Sequence, residues 1–284
     1  MYTISKHEMP AWAGVVVFLS FIFFMACDTE KPEVNFEEEE KSAYEAEEST
    51  ENLFDVVESI TTSAINVAEA NTGGRIAETE DPELACATVS FDGTRESGRI
   101  AINFGDGCEG PDGRIRKGEI VVEYDGHWLT KDAKIYTVLK NFFIDDLKIE
   151  GTRILTNVSV DLESLVYMVE IIGGKVIWPD ETFLTRESDR THTWIFGNGL
   201  DDFQLHVEGV ASGKTRLGVE YMSEVIQPLI FKSSCRGNTV YLPASGIKTI
   251  TIPEKPVITV NYGNNDCDNK FTISIGEASK EVSI

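Results

Sequence analysis

The sequence predicts a mainly β protein: a long antiparallel meander, as a curved sheet, sandwich or open barrel, preceded by one amphipathic helix. Three observations predict it. From Leu84 to Ile284 short runs alternate apolar and polar residues, as in Arg99–Phe104, Glu119–Tyr124, Phe203–Glu208, Val257–Tyr262 and Lys270–Ile275. Such alternation puts one face of a strand in a core and the other in water. Between Leu53 and Val67 the apolar residues recur instead at helical spacing. No long helical pattern interrupts the β-rich part, which argues against a parallel βαβ fold.

In chain order, residues 1–26 read as a signal peptide. Lys6 precedes a sixteen-residue apolar run, Ala11–Ala26, short of the roughly 20 residues that span a bilayer and of the length of a signal core. Phe24-Met25-Ala26-Cys27 stands where a lipobox would and resembles a lipoprotein signal, with Phe24 and Met25 departing from the usual pattern. A lipid on Cys27 would fasten the chain to a membrane. The acidic residues after it, Asp28 and Glu30, resemble the surface-export signal of Bacteroidota lipoproteins, so the expected location is the outer membrane, facing outward.

Residues 27–41 read as an acidic tether, with the Glu37–Glu40 run taken as a solvated spacer. Residues 42–72 read as the helix: Ser42 and Glu45 form a capping box, and Leu53, Val56, Val57, Ile60, Ala64 and Val67 make one apolar stripe suited to docking on the β domain or on a partner. Asn71-Thr72-Gly73-Gly74 would end it. The formal net charge is −23, and fourteen acidic residues against two lysines fall between Asp28 and Ala70. Without clustered Lys and Arg, nucleic-acid binding is excluded.

The β domain, 84–284, carries Cys86, Cys108, Cys235 and Cys267. In an exported chain these read as two disulfides with three possible pairings. Cys86–Cys108 and Cys235–Cys267 are favoured because each brackets a compact group of strands. Placing Cys86 opposite Cys108 requires an extra residue near Gly105–Gly107, with Phe104 then facing Val89, and a bulge would absorb it. No C-x2-4-C spacing supports zinc. Ile102–Glu109 and Val260–Asp268 share local sequence, each after an upstream cysteine, which suggests two related disulfide-closed edges. Turns are expected at Asp145-Asp146, Gly173-Gly174 and Gly197–Gly199.

The segment Phe104–Gly118 (FGDGCEGPDGRIRKG), with Ile149–Arg153 and Cys267-Asp268-Asn269, resembles an uncharacterised family of Bacteroidota lipoproteins. The resemblance supports a surface lipoprotein and implies no activity, cofactor or functional residue.

Catalytic patterns are scarce. Gly209–Thr215 is one residue too short for a phosphate-binding loop and lies among strand-like runs. His127, His192 and His206 match no metal spacing, and no G-x-S-x-G elbow occurs. Asp106, Glu109 and Asp112 share one loop, and Asp266, Asp268 and Asn269 another, so a structural calcium is conceivable there. Trp128, Trp178 and Trp194 fall in the central meander with Tyr136, Phe142 and Phe143 nearby; as exposed rings they would stack on sugars, and as core they would simply pack. The expected function is therefore a non-enzymatic binding or scaffolding module of the cell envelope. Its partner would be a glycan or an outer-membrane protein, with a lipid carrier and a motif-free hydrolase as alternatives.

Overall fold

A computed structural model describes residues 34–70, 74–76, 80–161, 164–235 and 242–283. These fall in one compact unit, Lys31–Ile284. The signal peptide, Cys27 and the first part of the tether lie outside the described residues, as does the Asn71–Gly73 stop. One helix, α1 (Glu38–Ala70), precedes fifteen strands: β1 (Gly74–Ile76), β2 (Thr88–Gly93), β3 (Ser97–Asn103), β4 (Cys108–Glu109), β5 (Ile115–Asp125), β6 (Lys134–Ile144), β7 (Leu147–Asn157), β8 (Ser164–Ile177), β9 (Phe183–Gly197), β10 (Gly199–Lys214), β11 (Glu220–Lys232), β12 (Ser245–Thr251), β13 (Ile258–Asn264), β14 (Lys270–Ile275) and β15 (Ala278–Ser283). All but β4 follow one another side by side in a single antiparallel sheet; β4 pairs with β5 alone, and the sheet does not close.

The inner face of this sheet is built around α1. Helix side chains bond to Thr137 on β6, Arg153 on β7, Arg186 and Arg190 on β9 and Lys248 on β12. From β6 to β12 is six strand spacings, about 29 Å, whereas a helix with its side chains is only about 10–12 Å across. The contacts accordingly advance along the length of α1, from Glu48 and Glu51 opposite β12 through Glu58 opposite β7 to Thr61 opposite β6, so the helix crosses the strands. The shared core contains Leu53, Val57, Ile60 and Ala64 of the predicted stripe, with Val56 and Val67 packed at its border. From the sheet it contains Ile100, Ile120, Val122, Ile149, Ile250 and Val260.

Both disulfides join the favoured partners, Cys86–Cys108 and Cys235–Cys267. The local likeness around them is structural as well. Asn103 Oδ1 accepts from the Gly105 amide at 2.7 Å, and Asn261 Oδ1 from the Gly263 amide at 2.9 Å. Both glycines have positive φ, 60° and 81°, and the aromatic between, Phe104 or Tyr262, is buried.

Four expectations need correction. The tether does not extend to residue 41, because α1 begins at Glu38; Ser42 is therefore inside the helix and forms no capping box. At the actual start the Glu37 amide donates to Glu40 Oε2 at 2.9 Å. The Glu37–Glu40 run is solvated only in part: Glu37, Glu38 and Glu39 are exposed, with Glu37 and Glu39 paired to Lys255, but Glu40 is buried. Gly173-Gly174 is not a turn but a register shift inside β8. Finally, Val89 faces Ile102, not Phe104; the surplus residues before Cys108 are taken up by a turn in which the Phe104 amide donates to Gly118 O. Asp145-Asp146 does join β6 to β7 as a two-residue turn, and Asn198 separates β9 from β10.

Candidate functional site

The alternation of β9 determines what faces the helix. Leu184, Arg186, Ser188 and Arg190 are buried, while Glu187 and Asp189 between them are exposed. In register, Arg153 lies beside Ile171, then Ser188, Ala211, Ser223 and Ile250. One row along, Arg190 faces Gly209, Val225 and Lys248. Four cations from three strands, Arg153 of β7, Arg186 and Arg190 of β9 and Lys248 of β12, thus share the inner face. At Gly209 the absence of a side chain matters: φ is 116°, an added Cβ would lie 2.2 Å from Asp189 O, and the Gly209 carbonyl accepts from Arg190 Nη1 at 2.8 Å.

Each cation meets an acid of α1. Glu47, fully buried, takes both Arg186 and Arg190, the latter at 3.2 Å. Lys248 sits between Glu48 and Glu51, at 2.8 Å from each. Arg153 pairs with Glu58 at 2.8 Å. Burial pushes the Glu51 and Glu58 carboxyls up, but the cations overcome it: Lys248 with Arg186 and Arg190 hold Glu51 below the usual range, and Arg153 does so for Glu58. For Glu48 burial prevails over Lys248, with neighbouring Glu51 adding to it, and its carboxyl is raised. Lys248 loses to desolvation and gains more from its two glutamates, so it stays charged well above the usual lysine range.

Toward the C-terminal end of α1 the packing opens into two adjoining hollows, about 280 Å³ and 130 Å³ in volume. They share Ile65, Trp128 and Ile135, which therefore stand between them. The larger is floored by Ala68, Phe91, Ile100 and Tyr124, with Glu69, Arg95 and His127 among its walls. The smaller contains Leu155, Tyr167 and Trp194, with Glu58, Arg153 and His192. The loop carrying Trp128 is fixed from below, since buried Asn157 donates Nδ2–H to the Trp128 carbonyl at 2.9 Å. The indole Nε1–H donates to Glu69 Oε1 at 2.9 Å, and His127 Nε2 approaches the same oxygen at 2.7 Å. Trp194 leans on Phe203, ring centres 4.8 Å apart. Burial depresses the His192 imidazolium, partly offset by Glu58, so His192 is neutral at pH 7.

The tryptophans divide two to one. Trp128 and Trp194 line the same hollow; Trp178 lies away from it, under the guanidinium of Arg216 at 4.3 Å. Tyr136 is half-buried and Phe142 fully buried, the latter in the core. The candidate calcium ligands Asp106, Glu109 and Asp112 do not converge: Asp112 is 3.5 Å from Arg116 and accepts from the Arg114 amide at 3.2 Å. Among the described residues no three His, Cys, Asp or Glu side chains form a metal-holding group, and this covers Asp266 and Asp268 as well. Gly209–Lys214, the loop-like sequence, is strand. Sequence reasoning missed Glu58, Glu69, Tyr124, Arg153 and Tyr167 as neighbours of the tryptophans. The one available signal was Arg186–Arg190, a strand polar on both faces, which in a buried position demands charged partners. No protein-family model matches the chain, and neither a curated protein nor a solved structure is detectably similar to it.

Proposed function

We propose that the chain is an exported, lipid-anchored, non-enzymatic binding module of the cell envelope, and that its ligand occupies the paired hollows beside α1. The observation that carries this is the convergence of Trp128, Trp194, Tyr124 and Tyr167 with aliphatic side chains and a few polar groups. Ligand sites have this composition: apolar surface for affinity, sparse polar groups for orientation. Export and the lipid on Cys27 rest on the apolar N-terminal run and the acidic residues after the cysteine. A glycan is the second reading, favoured by the two half-buried indoles in one hollow. An outer-membrane protein remains a scaffolding partner through the sheet's outer face.

Mass spectrometry of the protein released from its native envelope tests both parts. The denatured mass should show a processed chain beginning at lipid-modified Cys27. The native mass should include a small non-covalent adduct, lost in a Trp128→Ala/Trp194→Ala variant and kept in Trp178→Ala. A bare native mass, or an adduct indifferent to Trp128 and Trp194, removes the cleft reading; an intact N-terminus removes the anchor.

A further inference from the structure

Resting on the reading of the paired hollows as the ligand site, we propose that they hold one free long-chain fatty acid. Its carboxylate would sit at Arg95 and its chain would pass Trp128 toward Leu155 and Trp194. The interior decides the body of the ligand. Ile65, Ile100, Ile135 and Leu155 with aromatic rings make most of the lining apolar, while Thr61, Thr62, Asn66 and Thr94 add a few polar groups. A sugar ring buried there would have to replace all its hydrogen bonds to water from those few groups, whereas methylenes lose nothing and leave water behind.

Charge decides the end and its direction. Glu58 is taken by Arg153, and Glu69 by His127 and the Trp128 indole. Lys248, Arg186 and Arg190 are committed to Glu47, Glu48 and Glu51. Arg95 alone among the charged groups of the two hollows makes no ion pair with a described residue. It is exposed, on the turn between β2 and β3, and so marks the mouth. In a chain of net charge −23, a cation at the mouth of an apolar slot that pairs with no described residue fits an anionic head with an apolar tail. The tail would then fill the larger hollow, and to reach the smaller one it must pass the boundary made by Ile65, Trp128 and Ile135.

Titration of palmitate into the delipidated unit from residue 31 onward, followed by tryptophan fluorescence and calorimetry, tests this. Saturable one-to-one binding is expected. Arg95→Glu should weaken it at least tenfold without moving the thermal midpoint, since Arg95 is exposed. Hexadecanol should bind the parent protein tenfold or more weaker than palmitate and be insensitive to Arg95→Glu. Leu155→Trp, which shortens the slot, should select shorter chains. Absence of saturable palmitate binding, or palmitate affinity unchanged by Arg95→Glu, overturns the proposal, as does uptake of intact phospholipid in its place. An oligosaccharide that binds through Trp128 and Trp194 while palmitate does not would also overturn it and leave the cleft reading standing. Failure of every ligand at the cleft would end both.

Discussion

Glu47 shows at the scale of one residue how the protein is specified. It is fully buried with two arginines that are almost as inaccessible. Such a cluster repays its desolvation only through good geometry, and apolar side chains of the same volume often do as well. What the charges add is register, since a helix slipped by one turn would present Ala43 or Glu51 to the arginines instead. Removing one member leaves uncompensated buried charge, so Glu47→Ala should cost about 3–5 kcal/mol in chemical denaturation. A Glu47→Leu/Arg186→Met/Arg190→Leu variant should recover most of that loss. A Glu47→Ala variant as stable as the parent would mean that water already solvates both arginines. Little of this partnership was legible in the sequence: Arg186–Arg190 marks a strand polar on both faces but does not name its partners. An acidic helix normally faces water, and the partners of Glu47 and Glu51 lie 139, 143 and 197 positions away, on strands whose register no local pattern reveals.

At the scale of the element, α1 is held by graded contacts: a dense ionic half from Glu37 to Glu58 and a sparser half that lines the hollows. Glu58 sits at the junction. Its carboxyl is held below 4.5, the value it would have unfolded, because Arg153 outweighs burial. A depressed carboxylate contributes stability above its unfolded value, and that contribution disappears as pH falls through the folded one. Glu58→Gln should therefore be less stable than the parent near pH 7, and the gap should narrow as pH drops below about 4.5. Thermal midpoints of both proteins from pH 7 to pH 3 measure it, and a gap constant with pH would show that the Arg153 pair is not its source. Elements were the level at which the sequence was most readable. Lys270–Ile275 coincides with β14, and the stripe from Leu53 to Ala64 is the buried face of α1. Reading failed where one residue pair has two physical uses: Gly173-Gly174 serves a bulge within the fourteen-residue β8 as readily as a turn. The helix start failed for a similar reason, because Ser42-x-x-Glu45 fits a cap only when nothing helical precedes it.

For the whole molecule the governing feature is a division of charge between two parts of one chain. The helix carries nearly all its ionisable groups as acids, and the inner face of the sheet carries the matching cations. Alone, α1 has little reason to be helical at neutral pH. Glu47 and Glu51, Glu51 and Asp55 are like-charge neighbours four apart, and Glu45 and Glu48, Glu48 and Glu51, Asp55 and Glu58 are three apart; each pair opposes the helix by about 0.2–0.5 kcal/mol. Glu69 lies in a last turn that holds no basic residue, the wrong sign for that end of the helix dipole. The sheet supplies what the helix lacks, so folding of α1 and completion of the sheet's inner face should be one event. A peptide of residues 34–70 should accordingly show little helix by circular dichroism at pH 7 and gain it as pH falls through the carboxylate range. This is opposite in sign to the Glu58 contribution in the intact protein, where the same protonation removes a partner from Arg153. A peptide already strongly helical at pH 7 would mean that α1 forms before the sheet and merely docks. The cations of β7, β9 and β12 would then select its position without being needed for its existence.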